Sequence, residues 1–170
     1  CVKTSELCAI VSKKTGEVRF TDAAGNLILA EDSNGRTFAP IEVEGTKGYT
    51  VRQVFQSAGD DEAYYGLGQH QDGKLDLGGR EQILWHDYSH KGGEIVAVPF
   101  LVTNKKYGII FDNPSRMKVT PGVDGSTVWQ AEVGEAVSFF IISGKETDEL
   151  YQGYRRLCGG TPLPPRRGLG

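Results

Sequence analysis

A chain of 170 residues is long enough for one domain with its own core, and 23 glycines with 7 prolines favour short strands and tight turns over long helices. The net charge of -3, with no run of Lys or Arg, leaves no footprint for nucleic acid. No apolar stretch reaches the ~18–20 residues that a membrane-spanning helix needs.

Three cysteines, Cys1, Cys8 and Cys158, share no metal-ligand spacing with the histidines. Their odd number argues against a disulfide framework and for free, buried thiols. Neither a metal nor another cofactor is expected. Position 1 is not Met and no signal peptide is visible, so the chain is expected to begin inside a longer protein. The compartment, extracytoplasmic or cytoplasmic, is left open.

Period-2 alternation bounded by turn residues predicts strands along most of the chain. Residues 7–11 form the first, Lys14-Thr15-Gly16 turns the chain into residues 18–20, and Ala24-Gly25-Asn26 turns it again into residues 27–29. The three make a meander joined by hairpin-length connections. Residues 49–55 are the clearest half-buried strand, with Tyr49, Val51 and Phe55 on one side and Thr50 and Arg52 on the other. Residues 60–93, rich in Gly, Asp, His and Gln, read as long functional loops rather than core. A buried pair follows at 95–102 and 107–111, turning at Asn104-Lys105-Lys106; Pro99 implies an edge position or a bulge. Residues 127–130 and 136–142 complete the strands.

One helix is predicted over 148–157, capped by Thr147. Asp148 and Glu149 lie in its first turn and Arg155 and Arg156 in its last, as the helix dipole prefers. Leu150, Tyr154 and Leu157 share one stripe. Gly159-Gly160 stops the helix, and the proline-rich residues 161–165 make a stiff exit. The expected fold is mainly β: an antiparallel β-sandwich over residues 1–160 with one short C-terminal helix, then a linker over 161–170.

Three stretches carry a more specific message. Tyr64-Tyr65-Gly66-Leu67-Gly68-Gln69-His70 is followed by Leu75-Asp76-Leu77-Gly78-Gly79-Arg80. Val98-Pro99-Phe100-Leu101-Val102 leads to Tyr107-Gly108-Ile109-Ile110-Phe111-Asp112-Asn113. Tyr154-Arg155-Arg156-Leu157 leads to Pro162-Leu163-Pro164-Pro165 and Gly168-Leu169-Gly170. In order and spacing they resemble glycoside hydrolase family 31, with its α-glucosidases and α-xylosidases. Arg167, where the family usually has an aromatic residue, and Cys158-Gly159, in place of Thr-Gly, depart from the pattern at positions that carry no chemistry.

The resemblance implies a galactose-mutarotase-like sandwich ahead of a (β/α)8 catalytic barrel that would lie beyond Gly170. It also implies a retaining enzyme acting on terminal α-linked sugars. Such chemistry needs two carboxyl groups flanking the glycosidic bond, and in this family both sit on the barrel. No catalytic residue is therefore expected in these 170 residues, and the expected partners are the barrel and an oligosaccharide substrate.

A loop of the sandwich could still shape the sugar pocket. The candidate is Trp85-His86-Asp87-Tyr88-Ser89-His90: Trp85 and Tyr88 offer flat faces for stacking on a pyranose, and Asp87 and His86 offer hydrogen bonds to hydroxyls. The resemblance to the α-glucosidases makes Asp87 the residue that reaches the sugar. Gln69 and His70, beside Gly66 and Gly68, are read as orienting neighbouring loops rather than contacting the ligand. A phosphate-loop reading of Gly66 and Gly68 lacks the following helix that it requires, and His70, His86 and His90 lack ligand spacing. Asp60-Asp61-Glu62 and Asp148-Glu149 read as solvated turns and a helix cap. Two other functions fit the same residues. An autonomous carbohydrate-binding module would need an exposed aromatic platform. A stand-alone mutarotase would need a paired histidine and carboxylate.

Overall fold

The computed structural model describes residues 1–71, 73–86, 96–160, 162 and 165. Thirteen strands and one helix lie among them. In chain order the strands are β1 (Val2–Lys3), β2 (Leu7–Val11), β3 (Val18–Asp22), β4 (Leu27–Glu31), β5 (Thr37–Val43), β6 (Thr46–Gln56) and β7 (Tyr64–Gln69). They continue with β8 (Gln82–Leu84), β9 (Val96–Thr103), β10 (Tyr107–Phe111), β11 (Met117–Val123), β12 (Ser126–Gly134) and β13 (Phe139–Ser143), before the helix α1 (Thr147–Cys158).

The described strands form two antiparallel sheets. One has nine strands in the order β1-β2-β3-β4-β6-β12-β11-β8, with β5 also paired to β6; the other has four in the order β13-β10-β9-β7. The expected meander is β2-β3-β4. Residues from both sheets share one core: Val51, Phe55, Val119 and Trp129 meet Leu67, Leu101, Ile109 and Phe111. Trp129 and Phe111 stack at 5.2 Å across that interface. This is the β-sandwich that the alternation implies.

A second, smaller cluster explains the helix. Leu150 is wholly buried against the four-stranded sheet with Phe100, Val102, Ile110 and Ile142. Tyr154 stacks on Phe100 at 4.8 Å, and Tyr151 meets the same ring edge-on at 6.0 Å. Leu157, expected on the buried stripe, is half exposed. Thr147 is not the cap but the first helical residue; Glu146 precedes it in extended conformation with no side-chain cap bond. Glu149 Oε2 instead accepts the Lys145 N–H at 2.6 Å, in the manner of the reaching-back arm of a capping box.

Other expectations change as well. Within 60–93, β7 and β8 are strands, and Tyr64, Leu67, Leu77 and Leu84 are buried. Strand β13 starts at Phe139, three residues later than expected. Of the three free thiols only Cys8 is buried; Cys1 and Cys158 are exposed. Pro99 lies on β9, an interior strand, and it is the bulge reading that holds. The proposed linker, apart from Pro162 and Pro165, lies outside the described residues.

Candidate functional site

Three consecutive residues of β7 have positive φ: Gly66 at 99°, Leu67 at 62° and Gly68 at 103°. They sit where the β7–β9 register slips. Gly66 pairs with Leu101 and Gly68 with Ala97, so Leu67 alone faces Val98, Pro99 and Phe100. A Cβ at Gly68 would stand 1.8 Å from the Val96 carbonyl oxygen, and one at Gly66 2.5 Å from that of Phe100. Close backbone approach, not phosphate binding, is what these glycines serve. Leu67 drives its side chain into the core, wholly buried.

The bulge places the candidate residues. Its Leu67 carbonyl oxygen lies 3.0 Å from His70 Nε2, which donates to it, so His70 ties the end of β7 back onto the bulge. Gln69, one residue earlier, is exposed and pairs with Val96. On the neighbouring segment, His86 Nδ1 receives the N–H of Ala97 at 3.5 Å. Because Ala97 is the partner of Gly68, His86 and the Gln69–His70 end of β7 are both tied to the same stretch of β9. The Trp85 side chain is 51% exposed next to them. Asp87 and Tyr88, with His90, lie outside the described residues.

One polar cluster has no counterpart in the sequence reading. Glu62 is not a solvated turn residue. Its carboxylate accepts the hydroxyls of Tyr107 and Tyr64, the latter at 2.9 Å, and the Ala58 N–H at 2.6 Å. Burial, reinforced by the Glu62 charge, pushes the Tyr107 phenol far above its ordinary range; burial raises that of Tyr64 too. Next to it, Lys105 Nζ lies 2.6 Å from Asp61 Oδ1 and holds that carboxyl below its usual range. The arrangement fastens the turn before β7 to the start of β10. Only an ionisable residue placed just before the tyrosine-rich start of a strand hints at it. Among the described residues no group of three His, Cys, Asp or Glu side chains is placed to hold a metal ion. No helix among them is long and apolar enough to cross a membrane.

The family model of the glycosyl hydrolase 31 N-terminal galactose mutarotase-like domain matches residues 1–119. The chain belongs to that family. Among relatives of this family 31 domain, the alpha-xylosidase of Saccharolobus solfataricus is 30% identical over 176 residues, spanning 98% of the chain and 23% of the relative. Among solved structures, the GH31 alpha-xylosidase from Xanthomonas citri is 43% identical over 69% of the chain and 12% of its own, with a TM-score of 0.63. A Flavobacterium johnsoniae GH31 dextranase shares the fold across 98% of the chain and 20% of its own, at 23% identity and a TM-score of 0.78. The family 31 domain thus spans less than a quarter of the length of each of these proteins.

Proposed function

We propose that the chain is the N-terminal domain of a retaining α-glycosidase that removes terminal α-linked sugars, of α-xylosidase rather than α-glucosidase type. The observation that carries this reading is the 30% identity to an alpha-xylosidase over 98% of the chain. In this reading residues 1–160 are the domain and residues 161–170 lead into a (β/α)8 barrel that holds both catalytic carboxyl groups. The domain supports that barrel and lends residues 85–90 to its sugar pocket.

Asp87 is the group that accepts hydrogen bonds from sugar hydroxyls, with Trp85 and Tyr88 as apolar walls. The half-exposed Trp85 ring and the His86 contact to the β9 backbone support this role, since together they present an apolar surface on a tethered segment. His70 and Gln69 act at one remove, by fixing the end of β7 against the stretch of β9 to which His86 is tied.

The test uses the complete protein and the 170-residue chain side by side on an aryl α-xyloside. The chain alone gives no turnover, whereas the complete protein does. Asp87→Asn in the complete protein lowers kcat/KM by roughly 10–100-fold. Turnover by the chain alone would overturn the reading of the domain, and an unchanged kcat/KM would remove Asp87 from the pocket.

A further inference from the structure

Strands β5 and β6 continue beyond the part of the sandwich that the second sheet covers. On one face of this ribbon Phe38, Pro40 and Glu42 stand directly opposite Val51, Tyr49 and Lys47. Val51 is wholly buried, but Tyr49, two residues out, is 42% exposed and Phe38 41%. Among the described residues, cover therefore stops between Val51 and Tyr49. The two rings meet edge-to-face at 6.0 Å and 84°, so each fixes the other. Pro40, Glu42, Lys47, Gly48, Tyr49 and Glu135 line an open groove of about 710 Å³ there. Glu42, Lys47 and Glu135 enter no ion pair or side-chain hydrogen bond among the described residues.

We propose that this groove binds a neutral oligosaccharide. Tyr49 and Pro40 present apolar surface to the C–H face of a pyranose. The two carboxylates accept and the ammonium donates hydrogen bonds at the rim, as vicinal hydroxyls require. Two negative charges against one positive disfavour an anionic ligand such as a phosphate. Rings held by each other lose little freedom on binding, which lowers the entropic cost. An open groove with one ring platform implies weak affinity, with Kd on the order of 1 mM. The choice of sugar among neutral ligands rests on the α-glycosidase reading above, while the site itself rests on the ribbon.

Nuclear magnetic resonance titration of the chain with maltohexaose and with a xylogluco-oligosaccharide tests the assignment. Shifts are expected on residues 38–42, 47–49 and 135, with Tyr49→Ala weakening binding at least about tenfold and Tyr49→Phe keeping it. Should Tyr49→Ala fail to fold, Lys47→Gln at the exposed end of the ribbon serves instead, and a two- to fivefold loss is expected (on the order of one hydrogen bond). Absent shifts with both sugars would overturn the proposal, as would shifts confined to residues near Trp85. So would self-association of the chain that Tyr49→Ala abolishes, since the face would then belong to a second copy. None of these outcomes depends on turnover by the complete protein, so the two readings fail separately.

Discussion

Tyr107 stands at the start of β10, 2% exposed, and its hydroxyl donates to the Glu62 carboxylate. Burial first, and the Glu62 charge second, make its ionised form costly, so the folded phenol keeps its proton well beyond the ordinary value of 10.0. An unfolded chain gives up that proton near pH 10. Its contribution to stability is therefore complete below about pH 10 and is lost as pH rises from there. Tyr64 is shifted the same way by burial and adds to the loss. Urea midpoints taken from pH 8 to 11 should fall in the alkaline range, each tyrosine contributing up to about 1.4 kcal/mol per pH unit. Tyr107→Phe should be about 1–2 kcal/mol less stable at pH 8, because Glu62 loses a charge-assisted donor. Its alkaline slope should be shallower by one proton. Equal slopes in the two proteins would show that this buried phenol is not what titrates.

Gly153 lies in the middle of α1, where glycine costs about 1 kcal/mol relative to alanine. Propensity alone makes Gly153→Ala stabilising. Packing argues the other way: a Cβ there would stand 2.5 Å from Ile142 Cγ2, and a β-branched side chain in a strand has little freedom to move aside. Overpacking of this kind costs about 1–3 kcal/mol, which outweighs the helical gain. Thermal melts should therefore show Gly153→Ala below the parent; a higher melting temperature would mean that α1 shifts freely on the sheet. The same contest between local and long-range forces explains which elements are legible in the sequence. Strand β10 announces itself as a short apolar run, all five of its residues being buried, and the meander through the turn residues between its strands. Strand β5 is exposed or half-exposed along its whole length, so it carries no in-out contrast to read. Strand β7 hides because the glycines that permit its bulge look like loop composition. Strand β11 alternates Met117, Val119 and Pro121 inward, but Pro121-Gly122 reads as a turn.

At the scale of the molecule, the β2-β3-β4 meander joins the rest of the nine-stranded sheet, among the described residues, through two paired positions, Ala30 with Gln56 and Glu31 with Phe55, and through the Asp32 N–H donated to the Val54 carbonyl at 2.9 Å. Leu29 in the core and the Phe20–Phe139 edge contact at 6.1 Å help to hold it. So does a polar latch. The Glu31 carboxylate, 3% exposed, pairs with the Arg36 guanidinium and accepts the Val18 N–H at 3.0 Å. Arg36 Nε donates to Gln53 Oε1 at 3.0 Å, and Gln53 Nε2 donates onward to the Val54 carbonyl at 3.0 Å. No sequence period reveals such a latch, because Arg36 and Gln53 are 17 residues apart; Glu62 and Tyr107, 45 apart, were hidden for the same reason. Of the candidate residues, His86 and His70 were legible only as residue types, since the stretch of β9 that His86 contacts and the carbonyl that holds His70 are set by a bulge between distant strands. Removing the latch should separate the meander from the sandwich it leans on. Arg36 is 39% exposed and its side of the pair is screened by water, so the loss in Glu31→Ala comes mainly from the Val18 N–H and Gln53 left without their order. A cost of about 2–3 kcal/mol is expected, confined to the meander. Hydrogen exchange should then speed up roughly 30- to 150-fold at the amides of β3 and β4, while those of Val51 and Trp129 keep the parent's protection. Equal acceleration in both groups would mean that the nine-stranded sheet opens as one unit and that Glu31 is no boundary within it.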